Sequence, residues 1–176
     1  MKRGSYIFPA LSVGKWTQSA CRLMIFDFRR RVRPFRSGKV TVFSDGNDDC
    51  TYAPRSFFPV ENVNYGQLIR IRRKSGKLPG KKRKIVFGDL DEADIDTVNV
   101  ENFNGILRER VDRSVRKTRC FSKRKRRLIS AITLFQFYWN FMSEFRRDQT
   151  PAMIEGISNK IREWDDFFHA KLTNVR

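Results

Sequence analysis

Lys39-Val40-Thr41-Val42-Phe43-Ser44-Asp45-Gly46 is a β-branched apolar run closed by Asp-Gly. That pattern belongs to a buried strand that ends in a turn. Upstream, residues 10–32 read as a helix: Trp16, Ala20 and Leu23 share a face, and the chain turns basic before Pro34 ends it. Downstream, Asn, Asp, Pro and Gly recur through 46–66, which reads as loop. Residues 67–73 then alternate, with Ile69 and Ile71 pointing one way and Arg70 and Arg72 the other. After Ser75-Gly-Lys-Leu-Pro-Gly80, a second strand runs through Ile85, Val86 and Phe87. The two make a β-hairpin over 70–84 whose exposed face and tip are almost purely cationic. Acidic residues from Asp89 to Asp96 follow, and Thr97 is placed to N-cap a helix over about 98–112. Strands and helices in this order suit an α/β (α+β) chain.

Composition bounds the rest. The 176 residues fit one domain, and a 40% hydrophobic content with 16 phenylalanines supplies a core and excludes disorder throughout. The longest mostly apolar run, 131–142, is interrupted by Gln136 and Asn140 and is far shorter than the roughly 20 residues a bilayer span requires. The first residues lack the basic, apolar, small-residue progression of a signal peptide. Cys21, Cys50 and Cys120 lie far apart in sequence, without a CxxC pair and with one histidine, His169. This argues against a disulfide scaffold or zinc ribbon and fits a cytoplasmic, reducing setting.

Charge is the strongest signal: 37 Lys and Arg against 19 Asp and Glu give +18. Residues 70–84 hold nine basic and no acidic residues, and 108–127 hold eleven basic and two acidic, so each contributes +9. The segment between them, 85–107, carries six acidic and no basic residues. A merely soluble basic surface would spread its cations evenly; two concentrated patches point to a polyanion, above all nucleic acid.

On the 98–112 helix, Glu101, Asn104 and Arg108 fall on one polar face, apart from Val100, Phe103, Ile106 and Leu107. The triplet is either a solvated surface or one side of an active site. A basic run from Lys123 to Arg127 leads into a long aromatic helix with Leu128, Ile132, Phe135, Trp139 and Met142 in one stripe, widened by Tyr138, Phe141 and Phe145. Core packing is its ordinary role. Thr150-Pro151 starts a C-terminal amphipathic helix within 146–176, its stripe being Ile154, Ile157, Ile161, Trp164, Phe168 and Leu172, packed on the body or on a second copy.

Phosphate-loop, zinc-protease and serine-hydrolase motifs are absent, and His169 reads as a surface residue. Carboxylates beside polyanion-binding surfaces remain. Metal-dependent phosphoryl transfer needs little more, since clustered Asp and Glu hold two Mg²⁺ ions roughly 4 Å apart. Asp45 at a strand end and Glu101 on a helix could converge on such a site, although Asp-Gly is also common in turns and a helical Glu often faces solvent.

The segment Val98-Asn-Val-Glu101-Asn-Phe-Asn104-Gly-Ile-Leu-Arg108, with Phe121-Ser-Lys123 and the aromatic helix, resembles transposases of the insertion-sequence-one family. Val42-Phe-Ser-Asp45-Gly46 resembles that family's second catalytic strand. The likeness spans about residues 7–142 and implies a ribonuclease-H-like fold, a mixed sheet flanked by helices, within 1–145 and DDE-type DNA strand cleavage and transfer. It also implies Asp45 and Glu101 as two of three catalytic and metal-binding carboxylates, with Mg²⁺ or Mn²⁺ as cofactor. Asn104 and Arg108 match polar positions on the glutamate's helix. DNA, as transposon ends and target, would contact Arg70, Arg72, Arg73, Lys74, Lys81, Lys82, Arg83 and Lys84 on the hairpin. In the second run it would contact Arg116, Lys117, Arg119, Lys123, Arg124 and Lys125. No membrane partner is expected, and a homo-oligomer is compatible with the pattern.

The chain departs from the family in having no opening strand with the first aspartate and no N-terminal zinc-finger region, while the cationic hairpin is an insert between Asp45 and Glu101. Asp27, mid-helix between Phe26 and Phe28, is no substitute for the missing aspartate. The expectation is an N-terminally truncated catalytic domain, inactive alone, whose first strands come from an upstream chain or have been lost. Two readings from other classes stand beside it: a non-catalytic DNA-binding protein or transposase remnant acting as a regulator, and a basic RNA-binding protein of ribosomal type.

Overall fold

A computed structural model of the chain describes residues 1–15, 17–31, 39–47, 50–71, 80–114 and 122–169. Its elements are α1 (Gln18–Arg31), β1 (Val40–Asp45), β2 (Val63–Ile71), β3 (Gly80–Phe87), α2 (Val98–Arg110), α3 (Lys125–Phe141), α4 (Pro151–Ile154) and α5 (Trp164–His169). The chain divides into two compact units, residues 10–107 and residues 1–9 together with 108–176.

The first unit is built on a three-stranded mixed sheet in the order β1-β2-β3. β1 pairs with β2 in parallel, Val40 opposite Val63 and Asp45 opposite Leu68. β2 pairs with β3 in antiparallel, with an irregularity at Tyr65/Gly66. The two predicted strands therefore pair, the tip over 72–79 lying outside the described residues, but β2 starts at Val63, inside the stretch read as loop, and is the central strand of the sheet. Aligning a parallel neighbour requires a crossover, and short 3-10 turns at Pro54–Ser56 and Val60–Asn62 provide it.

Side-chain alternation gives the sheet two distinct faces. Val63, Tyr65 and Phe87 point toward α1 and form the apolar core with Ile25, Val40, Ala53 and Phe58. Burying each large member contributes roughly 1.5–3 kcal/mol. Buried Gln67 is satisfied on this face by the Asn47 carbonyl, the Thr51 hydroxyl and the Tyr65 hydroxyl. The other face carries Gly66, where an added Cβ would lie 2.8 Å from Ile95 and 3.3 Å from Phe43. That glycine lets the segment before α2 seat fully buried Ile95 directly on the strand. Gly88, at φ +88°, turns the chain out of β3, and a Cβ there would strike Asn64.

Two expectations about the first unit change. α1 begins at Gln18, Ile25 is its buried residue, and Leu23 is 62% exposed. Trp16 lies outside the described residues. Cys21 and Cys50, 29 residues apart, are joined in a disulfide with a Cα–Cα distance of 5.5 Å. Distance in sequence misled here because α1 packs on the β1–β2 crossover, where Phe26 meets Phe57 and Phe28 meets Phe58. The cysteine count therefore no longer argues for a reducing compartment. Cys120 lies outside the described residues.

In the second unit α3 is a core helix, as its aromatic content predicts, but its buried face includes Gln136 and Asn140 beside Ile132 and Phe135. Asn140 accepts the Phe8 N–H at 2.8 Å and donates to the Phe8 carbonyl at 2.8 Å. Gln136 donates to the same carbonyl at 2.7 Å, and the Trp139 indole donates to the Tyr6 carbonyl at 2.9 Å. The two polar residues that interrupt the apolar run are thus the anchors of the N-terminal segment. Lys2 adds an ion pair to Glu155 at 2.6 Å.

Thr150 caps as expected, accepting the Met153 N–H at 3.3 Å with Pro151 at the first helical turn. The single C-terminal helix does not form: α4 has four residues, and Gly156 at φ +68° follows it before α5. The stripe from Ile154 to Phe168 is accordingly broken, with Ile157 and Phe168 exposed; Leu172 lies outside the described residues. Among the described residues no helix is long and apolar enough to cross a membrane.

Candidate nucleic-acid interface

β3 is an edge strand with four consecutive cations, Lys81 to Lys84, all exposed. Its register places Lys81 beside Arg70 and Arg83 beside Leu68, on the face that meets Ile95 and Glu101; Lys82 and Lys84 stand opposite Ile69 and Gln67 on the other face. The hairpin is therefore cationic on both faces, because an edge strand at the margin of the core leaves both to solvent. Arg83 is partly structural: its Nε donates to the Ile95 carbonyl at 3.0 Å.

Glu101, in the first turn of α2, meets this group. Arg70 donates to its Oε2, and the Thr97 hydroxyl donates to Oε1 at 2.7 Å. The Thr97 hydrogen bond, then Arg70, with Lys81 nearby, outweigh desolvation and hold the Glu101 carboxyl below its ordinary value. Thr97 was expected to cap the helix; instead its hydroxyl serves the glutamate, and Asp96 accepts the Val98 N–H at 3.0 Å. Side-chain type and spacing alone do not reveal that role, because an N-cap threonine and a donor to the residue four positions on occupy the same place in sequence.

Asp45 ends β1, exposed. Ser44 faces the α1 side, its hydroxyl 2.6 Å from that of Tyr65, so alternation places Phe43 and Asp45 on the face of Gly66, Leu68 and Arg70. Asp45 and Glu101 thus share one side of the sheet. Among the described residues no group of three His, Cys, Asp or Glu side chains could hold a metal ion. Both Glu101 oxygens are already engaged, one by a guanidinium. The donor set formed by the described residues therefore does not fit a two-ion centre.

Of the other expected contact residues, Asn104 and Arg108 are half-buried on α2, and Lys123, Arg124 and Lys125 are exposed at the start of α3. Arg72, Arg73, Lys74, Arg116, Lys117 and Arg119 lie outside the described residues, as does Phe121. Asp27 pairs with Arg31 one helical turn on, at 3.2 Å. His169 is exposed, its Nδ1 2.8 Å from the Asp165 carbonyl. No protein-family model matches the chain, and neither does any curated protein or solved structure.

Proposed function

We propose that the chain binds DNA, gripping backbone phosphates through β3, and that it is the DNA-holding part of a transposition-type apparatus. The observation that carries this reading is the edge strand: Lys81, Lys82 and Lys84 are exposed within one four-residue run, and none makes an ion pair among the described residues. Phosphate contacts of this kind position a duplex without reading its sequence. Neutralising phosphates releases counterions, so affinity falls steeply with salt. The test is fluorescence anisotropy of a labelled duplex against KCl concentration. Log affinity should fall with a slope of about −0.9 per phosphate contact; salt-independent binding, or none at low salt, ends the proposal. Competition with structured RNA separates DNA from the ribosomal type of partner.

A second reading rests on a different observation, the shared sheet face of Asp45 and Glu101. Together with the insertion-sequence-one resemblance it supports a DDE-type strand-transfer protein lacking one carboxylate. The assay is strand transfer in Mg²⁺ with and without a chain supplying the family's opening strands. Transfer restored by that chain and lost in Asp45→Asn supports the reading; absence of transfer in both arms leaves DNA binding as the function.

A further inference from the structure

The second unit has a cationic feature of a different kind. Arg113, from the 3-10 turn Asp112–Ser114, and Arg124, Arg126 and Arg127, from the start of α3, surround an open notch of about 480 Å³ beside Ser130 and Ala131. We infer that this notch is a second nucleic-acid site, one that takes a backbone phosphate independently of β3. The inference rests on the DNA-binding reading and extends it to a part of the chain that reading does not use.

Three observations support the inference. First, the four guanidiniums are gathered without a counter-charge. No ion pair joins them among the described residues, whereas Arg31, Arg70 and Arg162 each meet a carboxylate. Like charges around one cavity repel, and an anion in the cavity relieves that repulsion. Second, the chemistry is selective. Among the described residues all four lining cations are arginine, whose planar fork binds phosphate oxygens in pairs, while a lysine offers a point charge. Arg113 is also aimed, its guanidinium donating to the Ser122 hydroxyl at 3.4 Å. Third, Ser130 and Ala131, one turn beyond Arg126 and Arg127, are small and leave the space open. Among the described residues the lining contains no aromatic or long aliphatic side chain, although surface sites for membranes pair cations with inserted apolar groups.

The experiment uses the full chain and a labelled duplex across a KCl series. Arg126→Ala with Arg127→Ala is the main variant, since alanine is the best helix former and the fold should tolerate it; circular dichroism and the thermal midpoint check this. The expected result is a salt slope smaller by about 1.8, which is about 0.9 per lost contact. Arg126→Lys with Arg127→Lys should keep the slope but weaken binding several-fold. Lys15→Ala with Lys39→Ala, which removes the same charge elsewhere, should leave the slope unchanged.

An unchanged slope in Arg126→Ala with Arg127→Ala, while the β3 variants lower it, overturns the notch and leaves DNA binding standing. An equal fall in the Lys15/Lys39 control overturns the notch as well. Failure of the unmodified chain to bind the duplex overturns both proposals. Preferential binding to phosphatidylserine vesicles, lost in Arg126→Ala with Arg127→Ala, assigns the notch to a lipid headgroup and overturns the nucleic-acid site.

Discussion

The two cationic regions solve the same electrostatic problem differently. On the sheet, Arg70 and Lys81 face a carboxylate, Glu101, which Thr97 holds in place. Three arginines at the start of α3 and Arg113 of the 3-10 turn line a notch, and no carboxylate meets them among the described residues. Density of positive charge is therefore not what separates the regions; the difference is whether an internal anion already satisfies part of it. The β3 region combines a free outer row, Lys82 and Lys84, with an inner row that is partly neutralised. Among the described residues the notch has no ion-paired carboxylate to answer its charge.

The largest test of this contrast removes three lysines of β3, the inner Lys81 with the free outer pair. Lys81→Ala, Lys82→Ala and Lys84→Ala together should reduce the salt slope of DNA binding by about 2.7, at about 0.9 per contact. Arg83 is left in place because of its bond to Ile95. Next in size, Glu101→Gln should tighten duplex binding about five-fold by releasing Arg70 and Lys81 from a competing anion, a change of about 1 kcal/mol. Where an added chain restores strand transfer, the same substitution should abolish it, a loss that the DNA-binding reading by itself does not predict. Smaller still, Arg70→Ala should lower stability by less than about 1 kcal/mol, since both partners are substantially exposed; a thermal melt measures it. The smallest effect is acid sensitivity. Because the folded Glu101 carboxyl lies below its ordinary value of 4.5, its stabilisation is present above that pH and fades as pH falls through the folded value. Stability curves of the unmodified chain and Glu101→Gln should converge in acid.

Much of this was legible in the sequence where local rules decide. β1 follows from a β-branched run closed by Asp-Gly, α2 from its periodicity and acidic approach, and the Thr150-Pro151 cap from two adjacent residues. The failures share a cause: each depends on a partner far along the chain. Gln136 and Asn140 look like interruptions of an apolar stripe until residues 6–8 supply their hydrogen-bond partners, 128 or more positions away. Cys21 and Cys50 meet because a helix lies on a crossover. β2 takes the central place in the sheet through pairing on both sides, which a hairpin reading supplies on one side alone. Gly156 ended the C-terminal helix early, where an apolar stripe suggested continuity. At the candidate site, Asp45 and Glu101 were readable as carboxylates in the right context, but the guanidinium set against one of them required the register of β2.

The anchoring of residues 6–8 by α3 has a consequence for how the chain is made. A polypeptide leaves the ribosome N-terminus first, and folding units form as they emerge. The sheet unit has all its strands and its disulfide partners within 10–107, so it can assemble early. Residues 6–8, synthesised before that unit, find partners for the Phe8 N–H and for the Tyr6 and Phe8 carbonyls in a helix that emerges more than a hundred residues later. Those groups stay with water while the sheet unit folds, and α3 then closes on them. Translation that stops before Gln136 would thus leave a formed sheet without the α3 anchor of residues 6–8.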